Sequence, residues 1–178
     1  MQDNCRHQPP LDHASPGRIA GIDFGTVRIG IALSDPSRTL ASPHETYTRT
    51  SPERDVQFFR RLIADEDVVL LVVGLPVHLD GRESAKSVEA RRFARWLSEA
   101  TGVAVELFDE RFSTVEADAL LAQRDLSPAR RKKRRDAMAA QVMLTAYLEQ
   151  RAARGADSRG SDETNGSARG NPPGALDD

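Results

Sequence analysis

GIDFGTVRIGIALSD, residues Gly21 to Asp35, is the stretch on which the fold turns. An apolar run begins at Arg18 and ends at Asp23-Phe24. Gly25-Thr26-Val27 interrupts it, and a second apolar run covers Arg28 to Ser34. Two short strands joined by a tight turn account for this pattern. Asp23 therefore sits at the end of an apolar strand. A carboxylate there is costly to bury unless it is paired or binds metal, which makes it the first candidate site residue. Gly25 permits close backbone approach to a phosphate or metal, although a simple turn glycine is the plainer alternative.

Outward from this hairpin, Leu40 to Thr48 reads as a third strand, and Pro43 puts it at an edge. Ser51-Pro52 opens a helix, with Ser as cap and Pro at the first helical position. Val56, Phe59 and Ile63 fall on one side of that helix. Val68 to Val73 is apolar throughout, as a strand covered on both faces should be, and stops at Gly74-Leu75-Pro76. A loop through Asp80-Gly81 leads to a helix from about Ser84 to Ala100 that buries Phe93, Trp96, Leu97 and Ala100. Val103 to Phe108 is the fifth strand. Ser113 and Glu116 form a capping box for a short helix to about Gln123. Ser127-Pro128 opens the last helix, which is expected to end near Gln150. Strands joined first by turns and then by helical crossovers predict an α/β protein, a mixed five-stranded sheet flanked by helices.

Both ends differ in composition. Residues 1–17 hold Pro9, Pro10 and Pro16, and residues 151–178 hold five Gly, three Ser and two Pro. Neither carries enough apolar surface to offset the entropy of ordering, so both are expected to be disordered around a domain at 18–150. The start shows no basic segment followed by an apolar one, and no apolar run approaches a membrane span. Cys5 is the single cysteine, so no intrachain disulfide can form. A cytoplasmic protein without membrane contact is the expectation. The four histidines are too scattered for a zinc site.

Two further acids lie where the first could meet them. Glu110 follows Asp109 at the end of the fifth strand. Asp136 shares the apolar side of the last helix, with Ala140, Met143 and Tyr147 four, seven and eleven residues on. Neighbouring strands lie about 4.8 Å apart, so groups at one sheet end can converge over roughly 5–10 Å. Converging carboxylates repel each other unless a cation joins them, and oxygen ligands suit Mg2+ or Mn2+. The formal charge is −2, with 20 basic and 20 acidic residues between Arg18 and Gln150, yet the basic charge is clumped. Arg130 to Arg135 are six consecutive cations ahead of Asp136. Cations at a helix start oppose the macrodipole, whereas nucleic-acid phosphates would reward them; a solvated charge cluster is the bland alternative.

Taken together, Gly21 to Asp35, Val72 to Pro76 with Asp80-Gly81, Asp109 to Thr114 (DERFST), and Asp136 with Ala139-Ala140 resemble the YqgF/RuvX family. That family is described as pre-16S rRNA nucleases and, earlier, as Holliday-junction resolvases. The resemblance covers about Arg18 to Gln150. It implies an RNase H-like fold and metal-dependent nuclease action, with Asp23, Glu110 and Asp136 as the acidic triad holding Mg2+ or Mn2+. Asp109 is the alternative to Glu110. Gly25, Arg28, Arg111, Lys132, Lys133, Arg134 and Arg135 are the candidate nucleic-acid contacts. The implied substrate is pre-rRNA at the 5′ end of 16S, with the ribosome as a partner and branched DNA as runner-up. A non-catalytic nucleic-acid-binding ribosome-assembly factor is a competing class. An actin-like ATPase shares the first motif but needs two lobes, which 178 residues do not supply.

Overall fold

A computed structural model of the chain describes residues 16–76, 84–109 and 128–160. The first two strands, β1 (Arg18–Phe24) and β2 (Arg28–Ser34), have the expected limits. Then come β3 (Ala41–Thr48), α1 (Pro52–Asp65), β4 (Val68–Leu75), α2 (Ala85–Thr101), β5 (Ala104–Asp109) and α3 (Pro128–Gly160). The strands form one sheet in the order β3-β2-β1-β4-β5. The first three are antiparallel neighbours, while β4 and β5 run parallel to β1. This is the mixed five-stranded sheet flanked by helices that the pattern predicts. β3 does lie at the edge, and its register shifts where Pro43 replaces a ladder donor.

Local chemistry sets the helix starts. The Ser51 hydroxyl accepts from the Arg54 N–H, with Pro52 following. Ser84 and Ser87 cap α2 reciprocally, and Gly102 closes it in the left-handed region at φ 76°. Alternation along the strands divides the core in two. On one face Ala20, Ile22, Ile31, Leu71 and Val73 pack against Phe59 and Leu62 of α1 and Phe93 and Leu97 of α2. On the other, Ile19, Ala32, Leu70, Val72 and Phe108 pack against Ala140, Met143, Leu144, Tyr147 and Leu148 of α3. Trp96 packs against the first cluster, as a core residue rather than a stacking platform.

Two glycines let α3 lie close on the sheet. A Cβ on Gly21 would stand 2.8 Å from the Leu144 Cβ, and one on Gly30 would collide with the Asp136 carbonyl oxygen. No side chain fits there, so glycine brings the helix backbone down onto β1 and β2.

One expected boundary is corrected. The last helix does not stop near Gln150; α3 continues to Gly160, so residues 151–160 are helical rather than disordered. Arg151, Ala152 and Ala153 are strong helix formers, and the Arg151 Nη1 donates to the Tyr147 hydroxyl one turn back at 3.1 Å. The Asp80-Gly81 loop and the capping box at Ser113 and Glu116 lie outside the described residues. No helix among the described residues is long and apolar enough to cross a membrane.

Candidate active site

Alternation puts Ile19, Gly21 and Asp23 on the α3 face of β1. Asp23 pairs across the ladder with Gly30. Since the backbone of Asp136 rests on Gly30, the two acids belong to one small region of that face. The expected orientation of Asp136 toward the sheet therefore holds. Its Oδ2 accepts from the Arg28 Nε at 2.6 Å, in a pair whose side chains are 24% and 22% exposed. Arg28 engages one oxygen of Asp136, and a carboxylate has two.

Electrostatics agree with this proximity. Burial raises the Asp23 pKa from 3.8 to about 6, the negative charge of Asp136 pushes the same way, and Lys86 pulls it back down. A divalent cation beside this acid would favour its ionised form. The oxygen donors of Asp23, with those of Asp136, fit a hard divalent ion. Among the described residues no three His, Cys, Asp or Glu side chains converge on one point. Glu110, its neighbour Arg111 and the side chains of Lys132 and Lys133 lie outside the described residues. Arg134 and Arg135 are exposed in α3, two turns from its start and beside Asp136. Gly25 has a sufficient local reason: a Cβ there would collide with the Arg28 carbonyl oxygen.

Sequence reasoning missed two features. Lys86, exposed in the first turn of α2, faces Asp23 electrostatically. The signal for it was the crossover itself, because a helix following a parallel strand starts at the strand's carboxyl end. The second is Asp55, 1% exposed within α1. It accepts from the Arg49 Nε at 2.8 Å and the Tyr47 hydroxyl at 2.8 Å. Arg49 also lies 5.6 and 5.5 Å from the ring centroids of Phe24 and Phe93. This network anchors the end of β1 from the face opposite Asp23.

Comparison with known proteins agrees with the motifs. A "Putative pre-16S rRNA nuclease" of Rhodopirellula baltica is 51% identical over 133 residues, covering 75% of this chain and 77% of that one. One of the same name from Koribacter versatilis is 38% identical over 135 residues, covering 76% and 88%. Among solved structures, T. thermophilus RuvC in complex with a Holliday junction substrate aligns with a TM-score of 0.46 and 12% identity, covering 76% of this chain and 96% of that one. Fowlpox virus resolvase with Holliday junction DNA gives 0.47 and 10%, covering 75% and 97%. The family model described as "RuvX: Holliday junction resolvase" matches residues 17–150. With a match over that span, and relatives of this identity, the chain belongs to the RuvX family.

Proposed function

We propose that the chain is a metal-dependent nuclease that hydrolyses nucleic-acid phosphodiesters, its substrate being the 5′ end of pre-16S rRNA in the cytoplasm. The observation that carries this is the meeting of Asp23 and Asp136 across Gly30, with the Asp23 proton affinity raised by burial and by its neighbour. The relatives' name supports the rRNA substrate.

In this reading Asp23 and Asp136 hold magnesium or manganese. Such an ion supplies Lewis acidity, lowering the pKa of a water and offsetting charge on the leaving oxygen. Glu110 is the third acid, binding the ion or orienting the water. Asp109, the last residue of β5, is the alternative to it. Arg28 and Lys86 orient the scissile phosphate, with Gly25 and Arg111 beside it. Lys132, Lys133, Arg134 and Arg135 attract the flanking phosphates. Cleavage leaves a 5′-phosphate and a 3′-hydroxyl. The catalytic unit lies within residues 18–150.

The test is cleavage of a short pre-16S 5′-leader RNA by purified protein with magnesium, manganese or chelator. Wild type cuts only with metal, and Asp23→Asn and Asp136→Asn do not cut while still binding RNA. Cleavage of a four-way DNA junction in preference to RNA would instead support the resolvase function described for the family. Binding to RNA with no cleavage of either substrate under any metal would leave a non-catalytic assembly factor.

A further inference from the structure

The site above lies at one end of the sheet, and a second feature opens at the same end. Arg28 pairs with Thr48, and the Arg49 N–H donates to the Val27 carbonyl, so β3 finishes beside the turn that follows Asp23. There the chain folds back into α1. Between the end of β3 and α1 runs an open groove of about 620 Å³. Thr48 and Thr50 form its near end, and Tyr47 and Phe58, stacked at 3.9 Å, line it farther along. Arg54, Gln57 and Arg61 project from α1 at positions that share one helical face.

The charges here are unlike those elsewhere on this edge. Arg54 and Arg61 are exposed, and among the described residues neither is paired with a carboxylate. Arg49, the neighbouring cation, is consumed by buried Asp55. Among the described residues no acid lines this groove. Arg61 also borders a smaller hollow of about 280 Å³ whose lining includes His44, Glu45, Asp65 and Glu66, so the basic lining of the groove gives way to acids there.

Distances match a nucleic-acid strand. Crossing from β1 over β2 to β3 takes about 10 Å at 4.8 Å per strand. Arg54 and Arg61 are seven residues apart, about 10 Å along the helix. That second span accommodates two phosphates of a single strand, one for each arginine. Hydroxyl and amide groups of Thr48, Thr50 and Gln57 add sequence-neutral hydrogen bonds.

We infer that this groove between β3 and α1 binds a single-stranded extension of the nucleic-acid substrate, with Arg54 and Arg61 holding its phosphates. The inference rests on the nuclease reading for the identity of the substrate, but its test needs no cleavage. Binding of a 20-nucleotide single-stranded RNA is measured with chelator present, over a salt series. The proteins are wild type, Arg54→Gln/Arg61→Gln, and Arg95→Gln as an exposed α2 control. The double variant should show a log–log salt slope shallower by about 1.4, since each single-strand phosphate contact contributes about 0.7. A four-nucleotide RNA, too short to span both regions, should show a smaller difference between the proteins. The groove is refuted if the double variant keeps the wild-type slope, or if Arg95→Gln loses as much. Wild type that cleaves RNA while the slope is unmoved leaves the nuclease standing without the groove. Groove-dependent binding with no cleavage under any metal leaves the groove without the nuclease.

Discussion

Asp23 shows how one side chain links stability to pH. Its folded pKa of about 6 lies above the ordinary 3.8, so between these values the folded protein binds the proton more tightly than the unfolded chain. The stabilising effect is full below about pH 4 and is lost as pH rises through 6. At neutral pH the ionised acid then costs about 3 kcal/mol in metal-free protein. Asp23→Asn should therefore raise metal-free stability at pH 7.5 and lose that advantage by pH 4, as urea melts at both values would show. Magnesium should stabilise wild type more than the variant, because a ligand of the native state adds to its apparent stability. Identical pH profiles for the two proteins would exclude this account. Removing Asp55 has the opposite effect on stability. Asp55→Ala strands Arg49 against Phe24 and Phe93, and a loss of about 3–5 kcal/mol is expected in the same assay. Asp23 was legible because a charge interrupts an apolar strand beside a glycine. Asp55 was not, because in a helix with polar neighbours its burial depends on Arg49 and Tyr47, which only the β3–α1 turn brings near.

Among the elements, α3 carries most of the consequence. It contributes Asp136, covers one face of the sheet and bears the basic run. Its seat depends on Gly30. In Gly30→Ala the added methyl would collide with the Asp136 carbonyl, so the helix must lift. Overpacking of this kind costs about 1–3 kcal/mol. Activity should fall further than stability alone explains, since the lift separates Asp136 from Asp23. Cleavage at a temperature where both proteins are fully folded separates the two effects; equal rates would show that Gly30 does not set the site. The helix's far end gives a second measurement. A chain ending at Gln150 loses the bond from Arg151 to Tyr147 and should lose about 1 kcal/mol, whereas one ending at Arg154 should melt like the full chain. The limits of β1 and β2 were readable because apolar runs stop at a turn. The true end of α3 was not, because glycine and serine beyond it suggested disorder, while Ala152 and Ala153 and the bond to Tyr147 extend the helix.

For the whole molecule, a formal charge of only −2 conceals a strongly asymmetric distribution. Of the two basic features, the run immediately precedes Asp136 in α3, and the pair on α1 begins with Arg54 near the end of the sheet at which Asp23 stands. Changing Lys132, Lys133, Arg134 and Arg135 to Ala should weaken binding to every nucleic acid tested. The salt slope should fall by up to about 0.7 for each single-strand phosphate that the variant no longer neutralises. An unchanged slope would reduce the run to a solvated cluster. Sheet order was largely legible, because hairpin-linked strands followed by crossovers allow few topologies. Assembly of the acids was only partly so, since it depends on how near a helix can approach a sheet.

The Arg28–Asp136 pair joins residues 108 positions apart. At a synthesis rate of about 5–20 residues per second, Asp136 emerges roughly 5–20 seconds after Arg28. Until α3 has left the ribosome and docked, Asp23 lacks Asp136. The Arg28–Asp136 pair thus forms late in synthesis, and α3, the last of the described elements in chain order, completes the pairing of Asp23 with Asp136.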